Sequence, residues 1–376
     1  MTSLDEHLYS ALQKRKQTGN LRSLALATPL QDFFSNDYLG LARNPYLARQ
    51  IRQREEAADY VQNGSTGSRL LSGNSLIALQ TEKRLAMTLK TEAALIFGSG
   101  YAANTAVLSS LPQKGDTIVM DELCHASLKE GARLSFARRI TFRHNDPDSL
   151  RSKLKLAEGR AYVVTEAVFS MDGDECPLAE IIKACNEFGA FLILDEAHTT
   201  GLRGDAGSGL ASELGLADQV PVRIHTFGKA MGVHGACVAG SALLAEYLVN
   251  FARPFIYSTA PPPHSFIAID AAFYYLSMHP ELPTQLQRRI NTFRNSAAEA
   301  GLGNRIADSK SPIQVLFVPG NENAKQASEA LRNKGLDVRP VLAPTVPIGT
   351  ERLRICLHVF NTDAEIRALI SAISIF

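Results

Sequence analysis

The chain of 376 residues reads as an α/β protein: a large domain on a mostly parallel seven-stranded sheet, then a smaller α+β C-terminal domain. Three observations predict this. Seven short apolar runs (94–97, 117–120, 140–142, 162–165, 191–194, 222–224 and 237–239) are separated by helical patterns. Runs apolar on both faces belong to a parallel sheet covered by helices. Beyond Ile256-Tyr257-Ser258-Thr259-Ala260-Pro261-Pro262-Pro263 the pattern changes to longer helices and a few alternating strands. Finally, at roughly 150 residues per domain the length suits two domains. The expected boundaries are 1–44 for an N-terminal helix and arm, 45–278 for the large domain and 279–376 for the small one.

In order, Leu4, Leu8 and Leu12 recur at helical spacing and predict a helix over 4–16. An irregular arm begins at 21–24. Phe33 opens a short strand that ends in an Asn36-Asp37 turn before Gly40. A helix over 45–60 opens the main body. Residues 64–74 are rich in glycine and hydroxyls and form a loop; a phosphate nest is one reading, but the spacing fits neither a Walker loop nor a dinucleotide fingerprint. A helix over 76–90 carries Leu79, Leu85 and Leu89 on its apolar side, and the seven strands follow. The C-terminal part is expected to hold helices at 265–278, 285–300, 322–334 and 363–372, and strands at 313–318, 338–341 and 352–357.

Composition narrows the function classes. Hydrophobic residues make up 45% and charged residues 20%, enough for a sizeable core. The net charge is +1 with both signs interspersed, which argues against a nucleic-acid partner. Five cysteines without CxxC spacing read as reduced buried thiols, and no metal-ligand spacing stands out. The polar stretch 1–15 lacks the apolar core of a signal peptide, and no apolar run reaches membrane-spanning length. The expected compartment is the cytoplasm.

The chemistry gathers after strands. Ligands of such sheets bind beyond the C-terminal strand edges, and Tyr101, His125, Ser170, Asp195, His198 and Lys229 each lie just after a strand. Lys229 sits in Thr226-Phe227-Gly228-Lys229-Ala230-Met231-Gly232; it is either a solvated turn residue or an amine meant to meet a carbonyl as a Schiff base. Gly98-Ser99-Gly100-Tyr101 joins a strand to a helix start, either an anion site or an ordinary turn. Asp195 either caps the next turn or serves as a buried carboxylate. His198, three residues on, is near it if the turn is helical, or else is a satisfied core histidine. His125 is a candidate ring stacker among histidine's many uses. One lysine, one carboxylate, two histidines, a serine and an anion site suit pyridoxal phosphate, a phosphorylated aldehyde held by lysine. Acyl hydrolysis by Ser170, His198 and Asp195 is weaker, since Ser170 lacks a G-x-S-x-G elbow.

Ordered motifs then carry a resemblance. They are Gly67-Ser68-Arg69, Phe97-Gly98-Ser99-Gly100-Tyr101-Ala102-Ala103-Asn104, His125-Ala126-Ser127, His144-Asn145-Asp146, Phe169-Ser170-Met171-Asp172-Gly173, Asp195-Glu196-Ala197-His198 and Thr226-Phe227-Gly228-Lys229. Together they resemble the α-oxoamine synthase family of fold-type-I pyridoxal-phosphate transferases, over nearly the whole chain. Ser35-Asn36-Asp37-Tyr38, Leu123-Cys124-His125-Ala126-Ser127, Phe227-Gly228-Lys229-Ala230 and Pro344-Thr345-Val346-Pro347 are most similar to its biotin-pathway branch.

The resemblance implies roles. Lys229 forms the Schiff base, Asp195 pairs with the ring nitrogen, and His125 stacks on the ring. His198 and Ser170 bond its phenolic oxygen, while the Gly100 and Tyr101 amides and Thr226 hold the phosphate. Ser258 or Thr259 is expected to reach the phosphate of a neighbouring subunit, since family sites lie at a homodimer interface. Arg354 and Thr345 are expected substrate contacts, with Arg22 a further one. The short arm before Phe33, and Val341-Leu342-Ala343 ahead of Pro344, depart from the common pattern and bear on the acyl contacts. The implied reaction is a decarboxylative Claisen condensation of L-alanine with a pimeloyl thioester of CoA or acyl carrier protein. Lys229 and His125 are its catalytic groups. A glycine C-acetyltransferase, an aminotransferase and an inactive scaffold subunit are the other readings.

Overall fold

The computed structural model describes residues 2–22, 24, 29–58 and 62–376. Its strands in chain order are β1 (Gln31–Asp32), β2 (Ala93–Phe97), β3 (Thr117–Asp121), β4 (Arg138–Phe142), β5 (Ala161–Glu166), β6 (Phe191–Asp195), β7 (Val222–Thr226), β8 (Ala236–Gly240), β9 (Ile313–Phe317), β10 (Leu336–Asp337), β11 (Arg339–Val341) and β12 (Arg352–Cys356). Two units form: a larger one of Asn36–Ser170 and Asp174–Gln285, and a smaller one of Met1–Ser35, Met171–Gly173 and Leu286–Phe376.

In the larger unit all seven expected strands form one sheet, in the order β2-β8-β7-β6-β5-β3-β4. Only β8 runs against its neighbours; the others share one direction. Alternation explains the unbroken apolar runs. Ile118, Met120, Val164, Ile193 and Ile224 face one core with helix residues Val107 and Leu128. Val119, Val163, Leu192 and Leu194 face a second core with Ile181, Ile182 and Phe169. A strand packed by helices on both sides has no wet face and so no polar alternation. β4 differs: its exposed Arg138 and Arg139 mark an edge, where charge discourages pairing with another chain.

The helix expected over 45–60 is Pro45–Ala57, capped by the Asn44 side chain, which accepts from Tyr46 N and Leu47 N. Positions 59 and 60 lie outside the described residues, as does Ser23 of the arm.

In the smaller unit β11-β12-β9 is antiparallel and β1 pairs with β10 in parallel. The helices Asn321–Asn333 and Asp363–Ile373 belong to it, the second with a Thr362/Glu365 capping box. The strand expected to open at Phe33 is instead β1, ending at Asp32. The Asp32 carboxylate accepts the Phe34 and Ser35 N–H groups at 3.1 and 2.9 Å and turns the chain there. The helix expected over 4–16 is Ser3–Gln17, and none of its residues is buried.

Candidate active site

Because six of the seven strands share a direction, the ends of β2, β3, β5, β6 and β7 meet on one sheet edge. Lys229 follows β7 there. Its Nζ donates to His198 Nε2 at 2.8 Å. On the far side of that imidazole, Nδ1 lies 2.9 Å from the Tyr38 hydroxyl, which donates to Asn36 Oδ1 at 3.0 Å. The lysine is thus held by a buried histidine that a tyrosine 160 residues earlier in the chain supports.

Asp195 ends β6 and is buried. Its Oδ1 accepts Ala197 N at 2.9 Å, and its Oδ2 accepts Asn104 Nδ2 at 2.8 Å. The same Asn104 amide donates to Ser127 Oγ at 2.9 Å, and Ser127 Oγ lies 2.7 Å from His125 Nδ1. His125 is the N-cap of the helix Ala126–Leu134. Burial holds its imidazole below the ordinary value; nearby Asp195 opposes this, and Lys229 and Lys129 reinforce it.

Glu166, at the end of β5, pairs directly with Asp195 across the β5–β6 ladder. Burial first, and then the Asp195 charge, push its carboxyl up to about 8. Its Oε1 accepts His125 N at 2.5 Å.

Gly100 opens the helix Gly100–Ser110 with Ser99 as N-cap, its Oγ accepting Ala102 N at 3.1 Å. The Gly100 and Tyr101 N–H groups have no partner within that helix. A Cβ at Gly100 would lie 2.4 Å from Thr226 Oγ1, so only glycine lets this hydroxyl reach the helix start. Backbone N–H groups, a helix dipole and a hydroxyl converge here, which is a setting for a phosphate. Tyr101 is half exposed.

The loop 64–74 is closely packed. A Cβ at Gly73 would meet Gly67 O at 2.4 Å and Ala260 Cβ at 2.6 Å. Ser65 Oγ donates to Pro261 O at 2.6 Å, and Ala260 N donates to Gly67 O at 3.0 Å. The loop therefore braces the exposed Ser258 and Thr259. Arg69 anchors it through a two-pronged, largely buried ion pair with Glu82 at 2.8 and 2.9 Å.

Ser170 is half buried after β5. Its loop is tied down by His144, whose Nδ1 is 3.0 Å from Asp121 Oδ1 and whose Nε2 is 2.7 Å from Asp174 Oδ2. Burial alone would lower this imidazole's pKa, but the two aspartates outweigh it and raise the group to about 10. His144 is therefore an imidazolium between two carboxylates, its ring edge-on to Phe169 at 4.4 Å.

Arg22, Thr345 and Arg354 belong to the smaller unit. Arg22 and Thr345 are exposed, and Arg354 is half buried on β12 with its Nη1 3.0 Å from Cys356 Sγ. Asn104, Ser127 and Glu166 carry site geometry although residue type and spacing alone assign them no role. An asparagine following Ala102-Ala103 in the helix that opens at Gly100, and a second carboxylate at a strand end, were the available signals. All five cysteines are buried and free. Among the described residues no cluster of His, Cys, Asp or Glu could hold a metal, and no helix is long and apolar enough to cross a membrane.

A parallel-sheet rim carrying lysine, aspartate and a glycine–threonine cradle is the site layout of a fold-type-I transferase. The chain belongs to the aminotransferase class I and II family, whose family model matches residues 29–373. It is 38% identical over 384 residues to the 8-amino-7-oxononanoate synthase of Cellvibrio japonicus, covering 98% of this chain and 95% of that protein. Among solved structures, the 8-amino-7-oxononanoate synthase of Francisella tularensis superposes with a TM-score of 0.79 at 28% identity, over 92% of this chain and 97% of that one. A serine palmitoyltransferase variant of S. paucimobilis with a bound PLP–myriocin aldimine gives a TM-score of 0.89 at 26% identity, over 100% and 98%. The α-oxoamine synthase resemblance carried by the motifs is borne out by these relatives.

Proposed function

We propose that this chain is a pyridoxal-phosphate enzyme that condenses L-alanine with a pimeloyl thioester, releasing CO2 and the thiol carrier to give 8-amino-7-oxononanoate for biotin synthesis. The observation that carries this reading is the Lys229 amine, held 2.8 Å from His198 on the same sheet edge as buried Asp195. The donor set fits the cofactor: an amine for its aldehyde, a carboxylate for its ring nitrogen, and the Gly100–Thr226 cradle for its phosphate. When bound, pyridoxal phosphate supplies an aldehyde for the amino acid and a sink for the electrons left at its α-carbon.

The chain's own groups do the rest. Lys229 would be the base that takes and returns the proton at the substrate α-carbon. Asp195, fixed by Ala197 N on one oxygen and by the Asn104 amide on the other, would be the carboxylate that pairs with the ring nitrogen. His198 and Ser170 serve the phenolic oxygen, and the Gly100 and Tyr101 amides with Thr226 hold the phosphate. His125 covers the ring and donates to the thioester oxygen as negative charge develops there. Arg354 takes the amino-acid carboxylate, with Thr345 and Arg22 as further substrate contacts. The enzyme acts as a cytoplasmic homodimer in which Thr259, with Ser258, reaches the partner's phosphate.

The test is Lys229→Ala, assayed with alanine and a panel of acyl thioesters alongside absorbance spectra. Turnover and the visible band of the bound cofactor should both vanish. Full activity with an unchanged spectrum would end this reading. A preference for glycine with acetyl-CoA over alanine with pimeloyl thioesters would move the chain to another branch of the family.

A further inference from the structure

The hydrogen bonds behind His125 determine where its proton sits. A carboxylate only accepts, so the Asn104 atom 2.8 Å from Asp195 Oδ2 is its NH2 group, which fixes the orientation of that amide. The same NH2 lies 2.9 Å from Ser127 Oγ, so the serine oxygen accepts there. Its own hydrogen then points to His125 Nδ1, 2.7 Å away. A second donor meets the same nitrogen: the backbone N–H of Ser127, at 3.2 Å. A main-chain N–H can only donate. Nδ1 therefore offers its lone pair, and the proton of a neutral His125 resides on Nε2.

We infer that Asn104 and Ser127 are positioning residues that fix His125 as the neutral Nε2–H tautomer. The chain of bonds starts at the Asp195 carboxylate and ends at the imidazole. All three residues that precede the ring in it are buried, so solvent does not compete for the bonds. The other charged groups facing His125 do not all act in one direction. Lys229 and Lys129 disfavour a second proton on the ring, and Asp195 favours one. Glu166 bonds the His125 main-chain N–H rather than the ring. A donor on Nδ1 stabilises the neutral ring and resists its protonation. The inference rests on the proposed reading in one respect: the Nε2–H is the donor required of His125 in the condensation.

The experiment is nitrogen–proton NMR of holoenzyme labelled at histidine, with His125 assigned by its loss in His125→Asn, and steady-state kinetics from pH 6 to 9. The wild type should show His125 neutral, with the proton on Nε2. In Ser127→Ala the ring loses its hydroxyl donor. The His125 pKa should then rise, and kcat should fall about tenfold, a part of the roughly 10²–10⁴-fold that a positioned proton donor contributes, with KM for alanine changed less than about twofold. Ser127→Thr, which keeps the hydroxyl, should restore both. Asn104→Ala, the second variant should Ser127→Ala fail to fold, should shift the same titration in the same direction. A proton on Nδ1 in the wild type would overturn the inference. So would an unmoved titration in both alanine variants, or an equal loss in Ser127→Thr and Ser127→Ala, which would mark packing alone. The tautomer is read without turnover, so it can fail while the Lys229 spectrum stands, and the reverse.

Discussion

His144 offers a direct test of the electrostatics that shape the site. It lies between Asp121, which has 0% side-chain exposure, and Asp174, and it carries a pKa raised from 6.5 to about 10. The folded protein thus binds this proton more tightly than the unfolded chain. The stabilisation is complete below pH 6.5 and disappears as pH rises through about 10. Every tenfold gain in proton affinity corresponds to about 1.4 kcal/mol. His144 keeps 21% and Asp174 29% of their side-chain exposure, so water screens part of the interaction. After that discount we expect about 2–3 kcal/mol. The assay is urea denaturation of wild type and His144→Gln at a series of pH values from 6.5 to 10. At the low end the variant should be less stable by about 2–3 kcal/mol, and the gap should close toward pH 10. The difference between the two proteins is the right quantity, because Glu166, raised to about 8, adds its own loss with rising pH to both. Parallel curves with a constant gap would show that His144 acts by shape rather than by its charge between Asp121 and Asp174.

Two further outcomes follow from packing and charge. In Gly100→Ala the new Cβ would press on Thr226 Oγ1 at 2.4 Å, so the cofactor dissociation constant should rise about tenfold or more with the fold intact; absorbance titration of the apoenzyme checks this, and unchanged affinity would count against the phosphate cradle. Arg69→Ala strands Glu82, whose side chain is only 12% exposed and whose Oε1 also accepts Ile96 N. The cost should be about 3–5 kcal/mol, seen as a lowered Tm, and a thermal midpoint equal to wild type would show that the pair is not needed to brace the 64–74 loop.

The seven strands of the main sheet were legible because buried parallel strands leave an uninterrupted apolar mark. Lys229, Asp195, His198 and Thr226 were legible by residue type and place, each just at or beyond a strand end. The first strand was misplaced for a local reason: the Asp32 side chain turns the chain before Phe33, and a carboxylate's choice of backbone partner leaves no periodic trace. The loop 64–74 was legible as a loop from its glycines and hydroxyls, but its packing against Ala260 was not, because that contact joins segments far apart in the chain.

What the amino-acid order by itself determined is burial, element by element, and the kinds of side chain delivered to the sheet edge. Periodicity records which face of a segment avoids water, and that is a property of the segment alone. Only the tertiary structure decided the pairings. Asn104 meets Asp195 across 91 residues, and Tyr38 meets His198 across 160. Glu166 gains its raised pKa because β5 lies beside β6 in one register. His144 stays charged because two aspartates from different segments close on it. Strand order and register place these groups within hydrogen-bonding distance, and neither is written in the local spacing of the residues that meet.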